Sequence, residues 1–231
     1  MPPAFWNLNA ADETIPVRNL YAIGWNYPLH NEELNRRRDE PLIIFLKSSG
    51  SLLDADEPLV YPPNTRELHY EGELVVLIGR DGYRVSEAQA QQMVWGYAPG
   101  LDFTLRDKQW AVREKGQPWF PAKNFRGASG VGRFLPAAEV GDYSGLRLQL
   151  FVNATPRQDT LLSAMSHGVP NIISLISAHL PLLRGDVIFT GTPQGVGPCT
   201  PGDEIECRIE RIGSLKVSVV GQEPSSAAAA P

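Results

Sequence analysis

Cysteine is scarce in this chain: Cys199 and Cys207 are the only two among 231 residues. Two cysteines cannot build the disulfide framework of a small secreted domain, and neither belongs to a Cys-x-x-Cys pair that would indicate structural zinc. Long apolar runs are also missing, since no stretch approaches the roughly 20 residues that a membrane-spanning helix needs. The first ten residues lack the basic and apolar regions of a signal peptide. We therefore expect a cytoplasmic protein.

An excess of positive charge is absent as well. The formal net charge is -5, and the only basic run is Arg36–Arg38, which fits a solvated helix end. Nucleic acid and anionic membranes are therefore poor electrostatic partners for this chain. With 42% hydrophobic and 20% charged residues, the composition is that of an ordinary globular protein, and the length predicts one domain.

Short apolar segments separated by glycine and proline dominate the pattern and predict a strand-rich fold. The strands are predicted at 42–46, 74–78, 146–152, 187–189 and 204–209. Helices are predicted at 28–38 with Asn26 as its cap, at 86–94, and at 170–183. In the last helix Ile172, Ile173, Leu175, Ile176 and Leu180 are expected to face the core. Many strands and few helices favour an α+β, mainly β fold.

Acidic residues form the sharpest local feature. Glu71 and Glu73 are two residues apart just before an apolar run, so on a strand their side chains leave the same face. Asp102 stands among apolar neighbours, just after a predicted turn at Pro99-Gly100, and needs a partner there. A hard divalent cation such as Mg²⁺, Mn²⁺ or Ca²⁺ would relieve all three carboxylates. The alternatives are two solvated glutamates at a strand end and, for Asp102, an ion pair with Arg106.

Other polar residues could complete a reactive site. His30 and Glu33 are three apart on the predicted helix, where a carboxylate can orient an imidazole that deprotonates water, although a surface pair has the same spacing. Lys123 lies between aromatic residues, either at the surface or as a buried cation. Asp107 and Gln109 could support the carboxylates from outside. The loop Thr190–Gly197 is glycine-rich and either approaches a ligand or makes a tight turn between strands.

Taken together and in this order, the motifs resemble the fumarylacetoacetate hydrolase family. The matching stretches cover about residues 17 to 221: GWNYPLHNEE from Gly24, PLIIFLK from Pro41, HYEGELVVLIG from His69, GLDFTLRDKQ from Gly100, RGDVIFTGTPQGVG from Arg184 and PGDEIECRIERIGSL from Pro201. Among the departures, Trp25 stands where many members carry Arg, and Asn153-Ala154 replaces a frequent Asn-Gly. These departures leave the substrate open.

The resemblance implies a mixed β-sandwich roll, usually a homodimer. It implies a single catalytic domain at 17–221 with a lid at about 25–40, preceded by an N-terminal extension at 1–16. The Pro/Ser/Ala-rich composition of the end of the chain predicts a disordered tail at 222–231. It also implies a catalytic His30–Glu33 pair on the lid, with Lys123 stabilising substrate. The metal, Mg²⁺ or Mn²⁺, is expected at Glu71, Glu73 and Asp102. Substrate contacts are expected from Asn26, Tyr27, Lys47, Arg106, Gln109 and Thr192.

The activity expected from the resemblance is hydrolysis of a C–C bond in a small β-diketo acid of the acylpyruvate type, through a metal-stabilised enolate. The same site could instead decarboxylate oxaloacetate, or isomerise or decarboxylate a hydroxymuconate-type diacid. A protein that binds metal and keto acid without catalysis is the alternative from another class. The survival of His30, Glu33 and Lys123 beside the carboxylates argues against it.

Overall fold

The computed structural model describes residues 5–8, 13–54 and 57–222. Its strands, numbered in chain order, are β1 Leu20–Gly24, β2 Ile43–Lys47, β3 Leu59–Val60, β4 Leu68–Tyr70, β5 Gly72–Ile78, β6 Val94–Asp102, β7 Thr104–Leu105, β8 Ser129–Val131, β9 Leu135–Pro136, β10 Arg147–Val152, β11 Thr155–Leu161, β12 Val187–Phe189, β13 Gly197–Cys199, β14 Glu204–Ile209 and β15 Gly213–Val220. The helices are α1 Pro28–Glu33, α2 Glu87–Gln91, α3 Arg106–Glu114, α4 Phe120–Lys123, α5 Ala137–Val140 and α6 Val169–His179, with 3-10 turns at Ser49–Ser51 and Leu162–Ala164.

Three sheets organise these strands. The largest has seven strands in the order β2-β1-β12-β5-β6-β8, with β9 added beside β6. A second sheet has the order β11-β10-β14-β15-β3, and a third has β13-β4-β7. β1 and β12 are parallel while most other pairs are antiparallel, so the large sheet is mixed. The prediction of a mainly β, α+β fold is confirmed.

The central strand β5 is buried on both faces, which explains its continuous apolar sequence. Leu74, Val76 and Ile78 belong to the main core between the large sheet and the second sheet. Val75 and Leu77 point the other way, into a smaller core that also contains Trp6, Leu8 and Ile15 from the described part of 1–16. Glu73 has the same parity as Val75, so its carboxylate leaves β5 on the side of the smaller core.

All three predicted helices are shorter in the structure. α2 covers Glu87–Gln91 rather than 86–94, because the chain enters β6 at Val94. α1 ends at Glu33 rather than at residue 38, because Asn35 adopts a left-handed φ of 54° that no helix continues. Tyr27, not Asn26, is its N-cap residue. α6 ends at His179 rather than at residue 183, since Leu180 is extended before Pro181, as residues before proline usually are.

The structure confirms some of the predicted core residues and contradicts others. In α6, Ile172, Ile173 and Ile176 are buried as predicted, whereas Leu175 and Leu180 are 38% and 41% exposed. The predicted tail, 222–231, lies outside the described residues apart from Gln222. Within the described ranges, no helix is long and apolar enough to cross a membrane.

The predicted turn at Pro99-Gly100 is wrong, because both residues lie inside β6. Gly100 pairs with Glu73 of β5, and a Cβ there would lie 2.3 Å from a Val75 methyl carbon. Glycine is required for close packing at this position, not for a turn. The strand therefore runs straight on to Asp102 and carries it into the large sheet.

Candidate active site

Strand pairing brings the three predicted carboxylates together. Glu71 precedes β5, Glu73 lies within it, and Asp102 ends the neighbouring strand β6. The Asp102 amide donates to the Glu71 carbonyl at 2.9 Å, which fixes the register. One oxygen of each carboxylate lies within 4.8 Å of the others, and all three residues are buried. The alternative interpretation, in which Glu71 and Glu73 are solvated at a strand end, is therefore wrong.

Three buried cations surround these carboxylates. The Lys123 ammonium donates to Glu71 Oε2 and Asp102 Oδ2, both at 2.6 Å. The Lys47 ammonium donates to Asp102 Oδ1 and to the carbonyls of Lys123 at 2.9 Å and Ala128 at 3.2 Å. Lys123 is thus a buried cation rather than a surface lysine.

Arg106 does not form the ion pair with Asp102 that the sequence left open. Its guanidinium donates to Glu71 Oε1 at 2.5 Å and to the Gln109 side chain one helical turn further on. With Lys47 and Lys123 it gives three formal positive charges against the three carboxylates. A divalent cation would make this cluster positive, and so suited to an anionic ligand.

The carboxylates have different electrostatic surroundings. Burial by itself would raise the pKa of Glu71, but the Lys123 ammonium and the Arg106 guanidinium hold it well below its usual range. For Glu73, burial and the neighbouring Asp102 carboxylate raise the pKa well above its usual range. Its Oε2 accepts a hydrogen bond from the Gly191 amide at 2.7 Å, which opposes but does not cancel this effect. Glu73 is therefore the carboxylate with the least compensated charge.

This donor set fits a divalent cation. Three buried carboxylates supply hard oxygen ligands, which Mg²⁺ and Mn²⁺ prefer over the sulfur and nitrogen ligands typical of zinc. The raised pKa of Glu73 reports a buried charge that the protein's own cations do not balance, and a cation beside it would remove that penalty. Glu71, Glu73 and Asp102 are thus the residues that could hold the metal.

His30 and Glu33 form a hydrogen-bonded pair at the edge of the same cavity. His30 Nδ1 lies 2.9 Å from Glu33 Oε2, and Glu33 Oε1 accepts from the Gly195 amide at 3.0 Å. Burial by itself would raise the pKa of Glu33, but these contacts with His30 and Gly195 hold it below its usual value. The ionised carboxylate fixes the imidazole ring and leaves Nε2 as the nitrogen free of this contact.

The cavity between these groups is lined by charged and polar side chains on one side and by aromatic rings on the other. The predicted site residues that line it are His30, Glu71, Glu73, Arg106, Gln109, Lys123 and Thr192. Its wall includes Trp25, Phe45 and Trp119, whose rings pack edge to face at centroid distances of 5.4–5.7 Å.

Several predicted residues lie behind this lining. The Asn26 amide binds the backbone of His167 and Thr190, and Tyr27 is buried in the core. The Lys47 ammonium donates to Asp102, and Lys47 does not line the cavity. Their assignment as substrate contacts stays a prediction that this geometry does not favour. Asp107 does not support the carboxylates either, because it accepts from Thr65 Oγ1 at 2.5 Å on the far side of α3.

Sequence reasoning missed two supporting residues and the two helices α3 and α4, which carry Arg106 and Lys123. Gln158 is buried and bridges the Gly72 amide, Thr192 Oγ1 and the Pro193 carbonyl at 2.8 Å each. Nothing in its polar strand, β11, marks it out. The backbone carbonyl of Trp119 accepts a hydrogen bond from the Lys123 amide at 3.1 Å, which connects the aromatic wall to α4. Helix α3 has recognisable signals, since Asp107 stands in its first turn and Arg113 in its last.

Comparison with known proteins agrees with this geometry. Residues 19–220 match the family model described as fumarylacetoacetate (FAA) hydrolase C-terminal. The chain is 39% identical to the mitochondrial oxaloacetate tautomerase FAHD1 of Mus musculus, covering 89% of this chain and 93% of the relative. It is also 39% identical to a fumarylpyruvate hydrolase of a Ralstonia species, covering 78% and 93%.

Solved structures show the same likeness. A fumarylpyruvate hydrolase from Pseudomonas aeruginosa, solved in complex with Mn²⁺ and pyruvate, superposes with a TM-score of 0.92 at 35% identity, covering 96% of this chain and 97% of that one. A 5-carboxymethyl-2-hydroxymuconate delta-isomerase from Mycobacterium smegmatis gives a TM-score of 0.80 at 34% identity, covering 91% and 82%.

Proposed function

Because the chain belongs to the fumarylacetoacetate hydrolase family, we propose that it is a divalent-metal-dependent enzyme that hydrolyses a C–C bond in an acylpyruvate-type β-diketo acid. The observation that carries the proposal is that His30, Glu71 and Glu73 line one cavity, with Glu33 bound to His30 and Asp102 beside the two glutamates. The cation, Mg²⁺ or Mn²⁺, supplies a Lewis acid for the 2-oxo acid end of the substrate.

The residues of the chain account for the remaining steps. His30 Nε2, with the ring held by Glu33, takes a proton from water, and the hydroxide adds to the distal carbonyl. The bond between that carbonyl carbon and the carbon on the pyruvate side breaks, leaving a carboxylic acid and a pyruvate enolate. The Lys123 ammonium, buried beside Glu71, stabilises the enolate oxygen before carbon is protonated to give pyruvate.

Substitution of His30 by Asn tests the general-base role. With acetylpyruvate as substrate we expect kcat to fall by about 10²- to 10⁴-fold, as for loss of a general base, while Mn²⁺ affinity measured by calorimetry is unchanged. His179, in the last turn of α6, provides the matched His→Asn control. Full turnover by the His30 variant, or by metal-stripped wild type, would contradict the proposal.

Tautomerisation of oxaloacetate is the second candidate function, because relatives covering most of the chain are named oxaloacetate tautomerases. It needs the same enolate stabilisation without an attacking water. Products separate the reactions: acetate plus pyruvate from acetylpyruvate, CO₂ plus pyruvate for decarboxylation of oxaloacetate, or enol decay without loss of mass for tautomerisation. The cytoplasmic location and the homodimer stay predictions, and analytical ultracentrifugation of the metal-loaded protein tests the dimer.

A further inference from the structure

One face of helix α3 lines the cavity along its length. Arg106, Gln109 and Arg113 follow at spacings of three and four residues, which places them in one row on the helix surface. Arg106 begins the row beside Glu71, and Arg113 ends it seven residues later, about 10 Å along the axis. The row therefore runs from the carboxylate cluster toward the far end of the cavity.

Arg113 differs from the other site cations in having no acidic partner. Lys47, Lys123 and Arg106 each bind a carboxylate, whereas within the described residues the Arg113 guanidinium forms no salt bridge or hydrogen bond. Its guanidinium carbon lies 4.8 Å from the centroid of the Trp110 ring, a contact that positions the charge without neutralising it.

The surroundings of Arg113 are themselves positive. Burial lowers its pKa, and the guanidinium groups of Arg36 and Arg106 lower it further, with only Glu40 acting in the other direction. Glu40 is already engaged by Arg36 at 3.4 Å. An anion at this end of the cavity would relieve the repulsion among the three guanidinium groups.

The cavity wall also contains apolar and aromatic residues. Phe45, Trp119 and Trp25 cover the space beside the row on α3. Such a wall fits a carbon chain, whereas a carboxylate against it would lose solvation without gaining a charged partner. One cavity thus combines Glu71 and Glu73, an apolar aromatic wall and the Arg113 guanidinium.

We propose that Arg113 is the residue of this chain that binds the distal carboxylate of a dicarboxylic keto acid, remote from its 2-oxo acid group, and so selects it over a neutral-ended acylpyruvate. This inference rests on the proposed function for the orientation of the substrate, with its 2-oxo acid at the carboxylate cluster. Arg113 is then a specificity-determining residue, and takes no part in the bond-breaking step.

Binding of two matched probes by the Mn²⁺-loaded protein tests the inference. 2-Oxoadipate and 2-oxohexanoate have the same six-carbon chain and 2-oxo acid group, but only the first has a distal carboxylate, and neither has the β-diketone that would be hydrolysed. We expect calorimetry to show that 2-oxoadipate binds the wild type about 10- to 100-fold more tightly, as for a charge-assisted hydrogen bond. Arg113→Gln should reduce the preference below about 3-fold, and Arg113→Lys should retain part of it.

Lys108→Gln is the matched control, because it removes one positive charge from the same helix at a residue that does not line the cavity. It should keep the full preference. Equal binding of the two probes by wild type, failure of both to bind, or a preference that survives Arg113→Gln would overturn the inference. Since neither probe is cleaved, these results are independent of the hydrolase assay, and failure to hydrolyse both acetylpyruvate and the dicarboxylic fumarylpyruvate would count against the proposed function alone.

Discussion

Substitution of Lys47 by Met is expected to destabilise the metal-free protein strongly. The Lys47 side chain has no exposed surface, and its ammonium binds Asp102 and two backbone carbonyls. Methionine fills a similar volume without the charge, so Asp102 keeps Lys123 as its remaining cation. Removing one partner of a buried pair costs about 3–5 kcal/mol of unfolding free energy. For a chain of this size that corresponds to a fall in Tm of about 6–20 °C.

Differential scanning calorimetry with chelator and then with excess Mn²⁺ measures both consequences. Because the cation also neutralises Asp102, the rise in Tm on adding Mn²⁺ should be larger in the Lys47 variant than in wild type. Lys216→Met is the control, since that lysine is 56% exposed, and its pairs at 3.6 and 3.7 Å should contribute little. A Tm for metal-free Lys47→Met within about 2 °C of wild type would refute the reasoning.

Two further predictions concern packing and buried thiols. A Cβ at Gly24 would lie 3.0 Å from the Trp119 ring, so Gly24→Ala should displace the aromatic wall and raise KM several-fold, whereas Gly145→Ala, with open space around it, should not. Burial raises the pKa of Cys199 and Cys207 to about 12 from 9.0, so iodoacetamide should label them at pH 8 only after unfolding. Because the folded state holds these thiol protons more tightly, their contribution to the free energy of unfolding should be fully present below pH 9. It should be lost toward pH 12, by up to about 1.4 kcal/mol per pH unit for each thiol. Rapid labelling of the native protein, or urea unfolding that is independent of pH in this range, would contradict this.

Local patterns in the sequence were sufficient for several elements of the fold. β12 and β14 have the predicted bounds, and β5 begins two residues earlier than predicted. The apolar residues of β5 and β12 form continuous runs, and those of β14 alternate with polar residues; both patterns are properties of a short segment. The helix ends differ in this respect. Asn35 adopts a left-handed conformation that no residue spacing specifies, whereas the end of α6 at Leu180 follows from Pro181, a local signal that the predicted end at 183 overlooked.

In the candidate site, too, some relationships are local in the sequence and others depend on pairing between distant segments. The i, i+2 spacing of Glu71 and Glu73 and the i, i+3 spacing of His30 and Glu33 are local relationships, and the structure brings both pairs together. Arrival of Asp102 beside the glutamates depends on the pairing of Glu73 with Gly100. No spacing within the sequence specifies that register.

The sequence by itself determined the residue types of the site and the mainly β class of the fold, because carboxylate chemistry and strand periodicity are properties of short segments. Only the tertiary structure decided the partners of each charge: Lys47 and Lys123 for Asp102, and Arg106 for Glu71. The tertiary structure also leaves the Arg113 guanidinium, which lines the cavity, without an acidic partner among the described residues. The physical reason is that burial makes each of these charges dependent on neighbours from distant segments, and folding alone brings those segments into contact.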